Sequence, residues 1–197
     1  MISTPHLLSV TLLLLAGACG GGSSAGGGAL TGAVHGQSIM IDDVISAAVT
    51  TTVAGVSIHA AAIFMATSKD LCSDAMSNTE HPNEKASVIL LTDINGTTFN
   101  TPTATGTYAI FQGSGTPPAK SAFFNVLVED ATCKDVTAQE AAGTSGTVTL
   151  TSFSGNQFSG NFDLVLDSGD HVTGSFDPSE CPALSTVVNN SMTSTCI

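Results

Sequence analysis

Polar and apolar residues alternate most regularly in the last third of the chain. Between 147 and 151, Val148 and Leu150 point one way and three threonines the other. Farther on, Phe158, Gly160, Phe162, Leu164 and Leu166 share one face, and Ser159, Asn161, Asp163, Val165 and Asp167 share its opposite. This period of two is that of a strand in an antiparallel sheet with one wet side. Asp167-Ser168-Gly169-Asp170 then reverses the chain, with glycine free to take the positive φ of a tight turn. Val172, Gly174 and Phe176 continue the inner face on the next strand.

Noisier strand-like runs lie at 38–44, 56–65, 87–94, 107–111 and 122–129, the last turning Phe124, Val126 and Val128 inward. Asn95-Gly96 marks a turn and 113–118 a loop. Helical spacing is confined to short stretches at 69–76 and 137–142. Some eight strands are expected, which makes the fold all-β: a single antiparallel domain, either a sandwich or a barrel.

The N-terminus reads differently. Residues 7–18 are almost all apolar, too short for a membrane span and the right length for a signal sequence. The run ends in Leu15-Ala16-Gly17-Ala18-Cys19, which resembles the lipobox of bacterial lipoproteins. Two features depart from that motif. Leu15 stands four residues before the cysteine rather than three, and residues 1–6 contain no Lys or Arg. Cleavage by an ordinary signal peptidase after Ala16 or Ala18 is the alternative. Glycine and serine dominate the stretch that follows, the composition of a flexible spacer. The expected organisation is a lipoprotein signal over 1–18, a tether over 19–29 and an all-β domain over 30–197, with lipid on Cys19. Gly20 in place of Asp after that cysteine points to the outer membrane, by resemblance to the lipoprotein class.

Five cysteines fit this scheme. If Cys19 carries lipid, Cys72, Cys133, Cys181 and Cys196 remain, an even number suited to two disulfides in an exported chain. Three pairings are possible. Cys181 with Cys196 is favoured, because it would pin the last residues to the end of a strand, and it leaves Cys72 with Cys133. No C-x-x-C or closely spaced histidine pair suggests zinc.

Charge narrows the range of functions. Sixteen acidic residues face four lysines (Lys69, Lys85, Lys120 and Lys134), for a net charge of −12. Such a chain has no basic patch for nucleic acid or for anionic lipid. The acids fall in small groups, Asp42-Asp43, Asp163 with Asp167 and Asp170, and Asp177 with Glu180, without the spacing of a calcium loop. None of His35, His59, His81 and His171 stands in a catalytic frame, and there is no G-x-S-x-G elbow. His59 is expected on a wet strand face.

One resemblance covers roughly the last half of the chain. Gly106-Thr107-Tyr108, Cys133, Ser145-Gly146-Thr147-Val148-Thr149-Leu150, Gly160-Asn161-Phe162-Asp163-Leu164, Gly169-Asp170, and Thr173-Gly174-Ser175-Phe176-Asp177 up to Cys181 resemble uncharacterised predicted bacterial lipoproteins of the kind common in myxobacteria. These are sheet and turn motifs, so the resemblance implies a fold and a lipid anchor and carries no activity or cofactor. The expectation is a non-enzymatic envelope or surface domain with a structural or binding role. Its partners are the membrane, through the lipid, and an unidentified protein or ligand. A hydrolase with a loop-built site and a small-ligand carrier using a barrel mouth are the rivals.

Overall fold

A computed structural model describes residues 26–53, 56–112, 115–187 and 195–197. Among the described residues there are thirteen strands: β1 (Gly27–Gly32), β2 (Asp43–Val53), β3 (Val56–Ala66), β4 (Thr79–Glu80), β5 (Lys85–Asn95), β6 (Thr98–Asn100), β7 (Gly106–Ile110), β8 (Lys120–Val128), β9 (Ala141–Ser154), β10 (Gln157–Leu166), β11 (His171–Asp177), β12 (Ser179–Glu180) and β13 (Thr195–Cys196). Two short helices, α1 (Leu71–Ser77) and α2 (Ala183–Val187), and a 3-10 turn at Thr137–Gln139 complete the described residues. Both stretches with helical spacing are thus helical in part.

Eleven strands form one sheet in the order β1-β11-β10-β9-β7-β8-β5-β6-β3-β2-β12, with β9 also bonded to β8 and β5 to β3. The sheet curls into a nearly closed barrel. Its main strands run antiparallel; the short β7 is wedged between β8 and β9, parallel to the first and antiparallel to the second. The inner face is filled by Tyr108, Phe124, Phe158, Phe162 and Phe176 with aliphatic neighbours such as Ile63, Met65, Ile89, Leu150 and Leu164. The alternation read along 158–166 is the observed burial pattern of β10.

A second core lies outside the barrel. Ile45, Ala47 and Val49 on β2, Ala60, Ala62 and Ala66 on β3, and Ala86 on β5 are covered by Leu71 and Ala75 of α1 and by Leu184 of α2. Strands β2 and β3 are therefore buried on both faces over much of their length, which explains their near-continuous apolar runs. The alanines leave room for the helices to lie close to the sheet.

The disulfides join Cys72 to Cys181 and Cys133 to Cys196, so the favoured pairing of Cys181 with Cys196 is not the one formed. Two backbone contacts account for this. The Cys181 N–H donates to the Ser46 carbonyl at 2.9 Å, which fixes Cys181 on the edge of β2 beside α1 and Cys72. The chain end pairs as β13 with β4, in parallel, and Cys196 bonds there to Cys133 of the β8–β9 connection. Cys72–Cys181 spans 109 residues. Loops of that length stabilise by roughly 4–5 kcal/mol in the chain-entropy account. The bond also clamps both helices over the outer core.

Two further expectations change. The run 38–44 is strand only at its end: residues 33–42 form a plug whose Val34 and Ile39 enter the inner core, and the ladder starts at Asp43 and runs on to Val53. Of the tether expected over 19–29, the described end belongs to the fold, because β1 pairs with β11 from Gly27↔Asp177 to Gly32↔Val172. Cys19 and residues 20–25 lie outside the described residues.

Gly26 sits where the barrel closes. A Cβ on it would lie 1.9 Å from the Val44 carbonyl oxygen and 2.6 Å from the Ser179 nitrogen, whereas one on Gly27 would meet nothing within 4 Å. Gly174 meets a similar limit on the inner face, with the Phe162 ring 2.3 Å from where its Cβ would stand. Gly26→Ala is accordingly expected to cost about 1–3 kcal/mol of stability, while Gly27→Ala stays within about 0.5 kcal/mol of the parent. Urea denaturation of the two variants checks this, and equal effects would contradict a closure set by close backbone approach.

Candidate functional site

Antiparallel strands bring four connections to one end of the barrel: residues 33–42, 67–84, 129–140 and 167–170. These carry Asp42; Asp70, Asp74, Glu80 and Glu84; Glu129, Asp130, Asp135 and Glu140; and Asp167 and Asp170, which is eleven of the sixteen acidic residues. The sequence shows the acids as scattered small groups; the fold gathers them.

Within this end lies an open hollow of about 440 Å³, lined by Asp42, Thr67, Ser68, Lys69, Asp70, His81, Pro82, Asn83 and Glu84. The turn Asn78, with φ of 57°, ends α1 and sends the chain through β4 to His81, which returns to the helix. The His81 ring meets Asp74 at 3.0 Å with both side chains part-buried. Burial pushes the Asp74 carboxyl above its ordinary range, outweighing the pull of His81. Glu84 is raised for the same reason.

Glu129 is the most perturbed group. Burial first, then the charges of Glu80, Glu84, Asp135 and Asp130, push its carboxyl from 4.5 to about 8. Its Oε2 is shut off from solvent and has no hydrogen-bond partner among the described residues. A group so placed stays protonated near neutrality and could give up a proton in mildly alkaline solution. Ligand atoms of Glu80, Glu129 and Cys133 fall within 4.8 Å of one another. The Cys133 sulfur is committed to Cys196, however, so only two carboxylates are left. That is fewer than structural zinc or calcium takes.

The opposite end holds a separate polar cluster. Tyr108 Oη donates to Asp93 at 3.0 Å, and Lys120 Nζ donates to Asp93 at 3.1 Å and to Tyr108 at 3.0 Å. The ammonium also lies 4.5 Å from the Tyr108 ring centre. Burial raises the Tyr108 hydroxyl, so it is not poised as a base.

The other residues singled out in the sequence have structural partners. Asp43 is buried and accepts N–H groups from Gly26, Val44 and Leu71 at 2.9, 2.8 and 3.0 Å. Asp163 meets His171 at 2.7 Å on an exposed face. Asp170 accepts the His35 N–H, and Asp167 the Ala142 N–H. Asp177 accepts from Ser159, and Glu180 from Asn156. His59 is exposed, as expected, and meets Thr50 at 2.9 Å. Sequence reasoning missed Glu129 and the hollow. Glu129 directly follows a regular strand, and nothing local marks it as facing Glu80 and Glu84 across loops.

Compared with known proteins, the chain matches no family model, no curated protein and no solved structure.

The Glu129 shift has a definite sign. A carboxyl raised on folding contributes stability that is complete below its ordinary value of 4.5 and is lost as pH climbs to about 8. Glu129→Gln should therefore raise the melting temperature at pH 8 and leave it little changed at pH 4. Thermal unfolding across that range measures it, and parallel curves for parent and variant would contradict the assignment.

Proposed function

We propose that this protein is a lipid-anchored domain of the cell envelope or cell surface, with a structural or binding role rather than a catalytic one. The observation that carries the reading is how near in sequence the fold comes to the lipobox-like cysteine. Gly26 is held by the buried Asp43 carboxylate and crowded by backbone of two strands, and in sequence only six residues, 20–25, separate it from Cys19. A lipobox-like leader is thus followed by a short spacer and then directly by a compact barrel.

Two disulfides fit an oxidising, exported compartment, and among the described residues no helix is long and apolar enough to cross a membrane. The interior packing weighs against a carrier with its ligand inside the barrel, since Tyr108, Phe124, Phe158 and Phe176 occupy that space. For a hydrolase, the His81–Asp74 pair supplies a candidate base. Among the described residues no serine or threonine hydroxyl is bonded to that ring, so the reading lacks an activated nucleophile. The acidic end gives any binding role its sign, favouring positively charged partners.

Mass spectrometry of the membrane fraction is expected to find a diacylglyceryl group on an N-terminal Cys19, and Cys19→Ser should move the protein to the soluble fraction. Unmodified Cys19 in a soluble product would overturn the anchor.

A further inference from the structure

We propose that the two disulfides have different roles: Cys72–Cys181 is permanent, whereas Cys133–Cys196 is a redox-sensitive strap that cationic thiols open in preference to anionic ones. The inference stands on the geometry of the acidic end and does not need lipid at Cys19.

Their surroundings separate the two bonds. Cys181 is fully buried and packs in the outer core with Leu71, Ala75 and Leu184, and its N–H is held by the Ser46 carbonyl. Half-buried Cys72 packs against the same core, so an attacking thiol must disturb that packing. Cys196, by contrast, is exposed on the two-residue strand β13, and its partner Cys133 is half-buried in the β8–β9 connection. The ladder under β13 covers two register pairs, Thr195↔Thr79 and Cys196↔Glu80. The Thr195 and Ile197 N–H groups donate to the Asn78 and Glu80 carbonyls at 3.0 and 3.1 Å. With the disulfide open, so short a ladder frays, and the strap leaves β4 and the β8–β9 connection.

Charge decides which thiol gets in. Exchange begins when a thiolate attacks one sulfur of the bond and the other leaves as a thiolate, which then takes a proton. A second thiol completes the reaction, so two thiols are oxidised to one disulfide while Cys133 and Cys196 are reduced. Negative charge is thus spread over the sulfurs throughout. The Cys133 sulfur lies within 4.8 Å of carboxylate oxygens of Glu80 and Glu129. Glu84, Asp130 and Asp135 act on Glu129 and add to the same field. Glu129 itself is protonated near neutrality, so at pH 7 the field comes from the other four acids. Against them stands Lys134, next to Cys133 in sequence. An anionic thiol is repelled here, and one borne on a positively charged partner is drawn in.

Reduction of the full chain by two monothiols, cysteamine and mercaptoethanesulfonate, tests this. Each rate is divided by that thiol's rate with oxidised mercaptoethanol, an uncharged disulfide, which removes differences in intrinsic reactivity. At pH 7 and low salt the corrected rate for cysteamine is expected to exceed that for the sulfonate by about tenfold. High salt and Glu80→Gln should each narrow the gap. Alkylation and peptide mass mapping should place the first freed thiols at Cys133 and Cys196, with Cys72–Cys181 intact. Amide exchange should then show Thr195 and Ile197 losing protection while β9, β10 and β11 keep theirs. Corrected rates within about twofold of each other at low salt would overturn the charge selection. Opening of Cys72–Cys181 at the same rate would overturn the division of roles. Unchanged protection at Thr195 and Ile197 after Cys133–Cys196 has opened would overturn the strap.

Discussion

The carboxylate of Asp43 lies out of water and accepts three backbone N–H groups, from Gly26, Val44 and Leu71. A buried carboxylate is costly unless such donors replace its water. Here the donors come from three parts of the chain: the entry to β1, the start of β2 and the start of α1. One side chain thus fixes where the N-terminal strand enters, where the first long hairpin begins and where the covering helix sits. β1 and β2 have no ladder between them among the described residues. The seam is made instead by this carboxylate, by the close approach at Gly26 and by β12, which bonds to β2 at Ser179↔Ile45. The Cys72–Cys181 bond then locks the helices beside the same strip.

The strand pattern was most legible where burial is one-sided. Along β10 every second residue is buried, and the alternation of Phe158, Phe162, Leu164 and Leu166 with polar residues shows it. It was least legible along β2 and β3, where Ile45, Ala47 and Val49 face the helices while Val44 faces the inner core. Two-sided burial erases the period of two. Residues 38–42 misled for a related reason. Ile39 and Ile41 alternate with Met40 as a strand would, yet they belong to a plug that satisfies its burial without a ladder. The glycine run misled through composition. Glycine marks a flexible linker and a crowded backbone equally well, and only the neighbours of Gly26 distinguish the two.

The acidic end and the disulfide pairing were illegible for a different reason: both depend on which loops share a barrel end. Glu80, Glu84 and Glu129 influence one another across connections that are distant in sequence. The count of four bonded cysteines followed from composition, but their pairing follows from β12 lying on β2 and β13 lying on β4. The charge concentrated there is a standing stress on the fold at neutral and alkaline pH. The disulfide from Cys133 to Cys196 crosses this same region and resists it covalently.

If the seam depends on Asp43, removing its charge while keeping its size should be felt throughout the domain. Urea unfolding of Asp43→Asn at pH 7 tests this most directly. The variant trades a carboxylate oxygen for an amide that must face a backbone donor, and the expected loss is about 3 kcal/mol. A free energy within about 0.5 kcal/mol of the parent would mean that the barrel closes without this carboxylate, and would contradict the account.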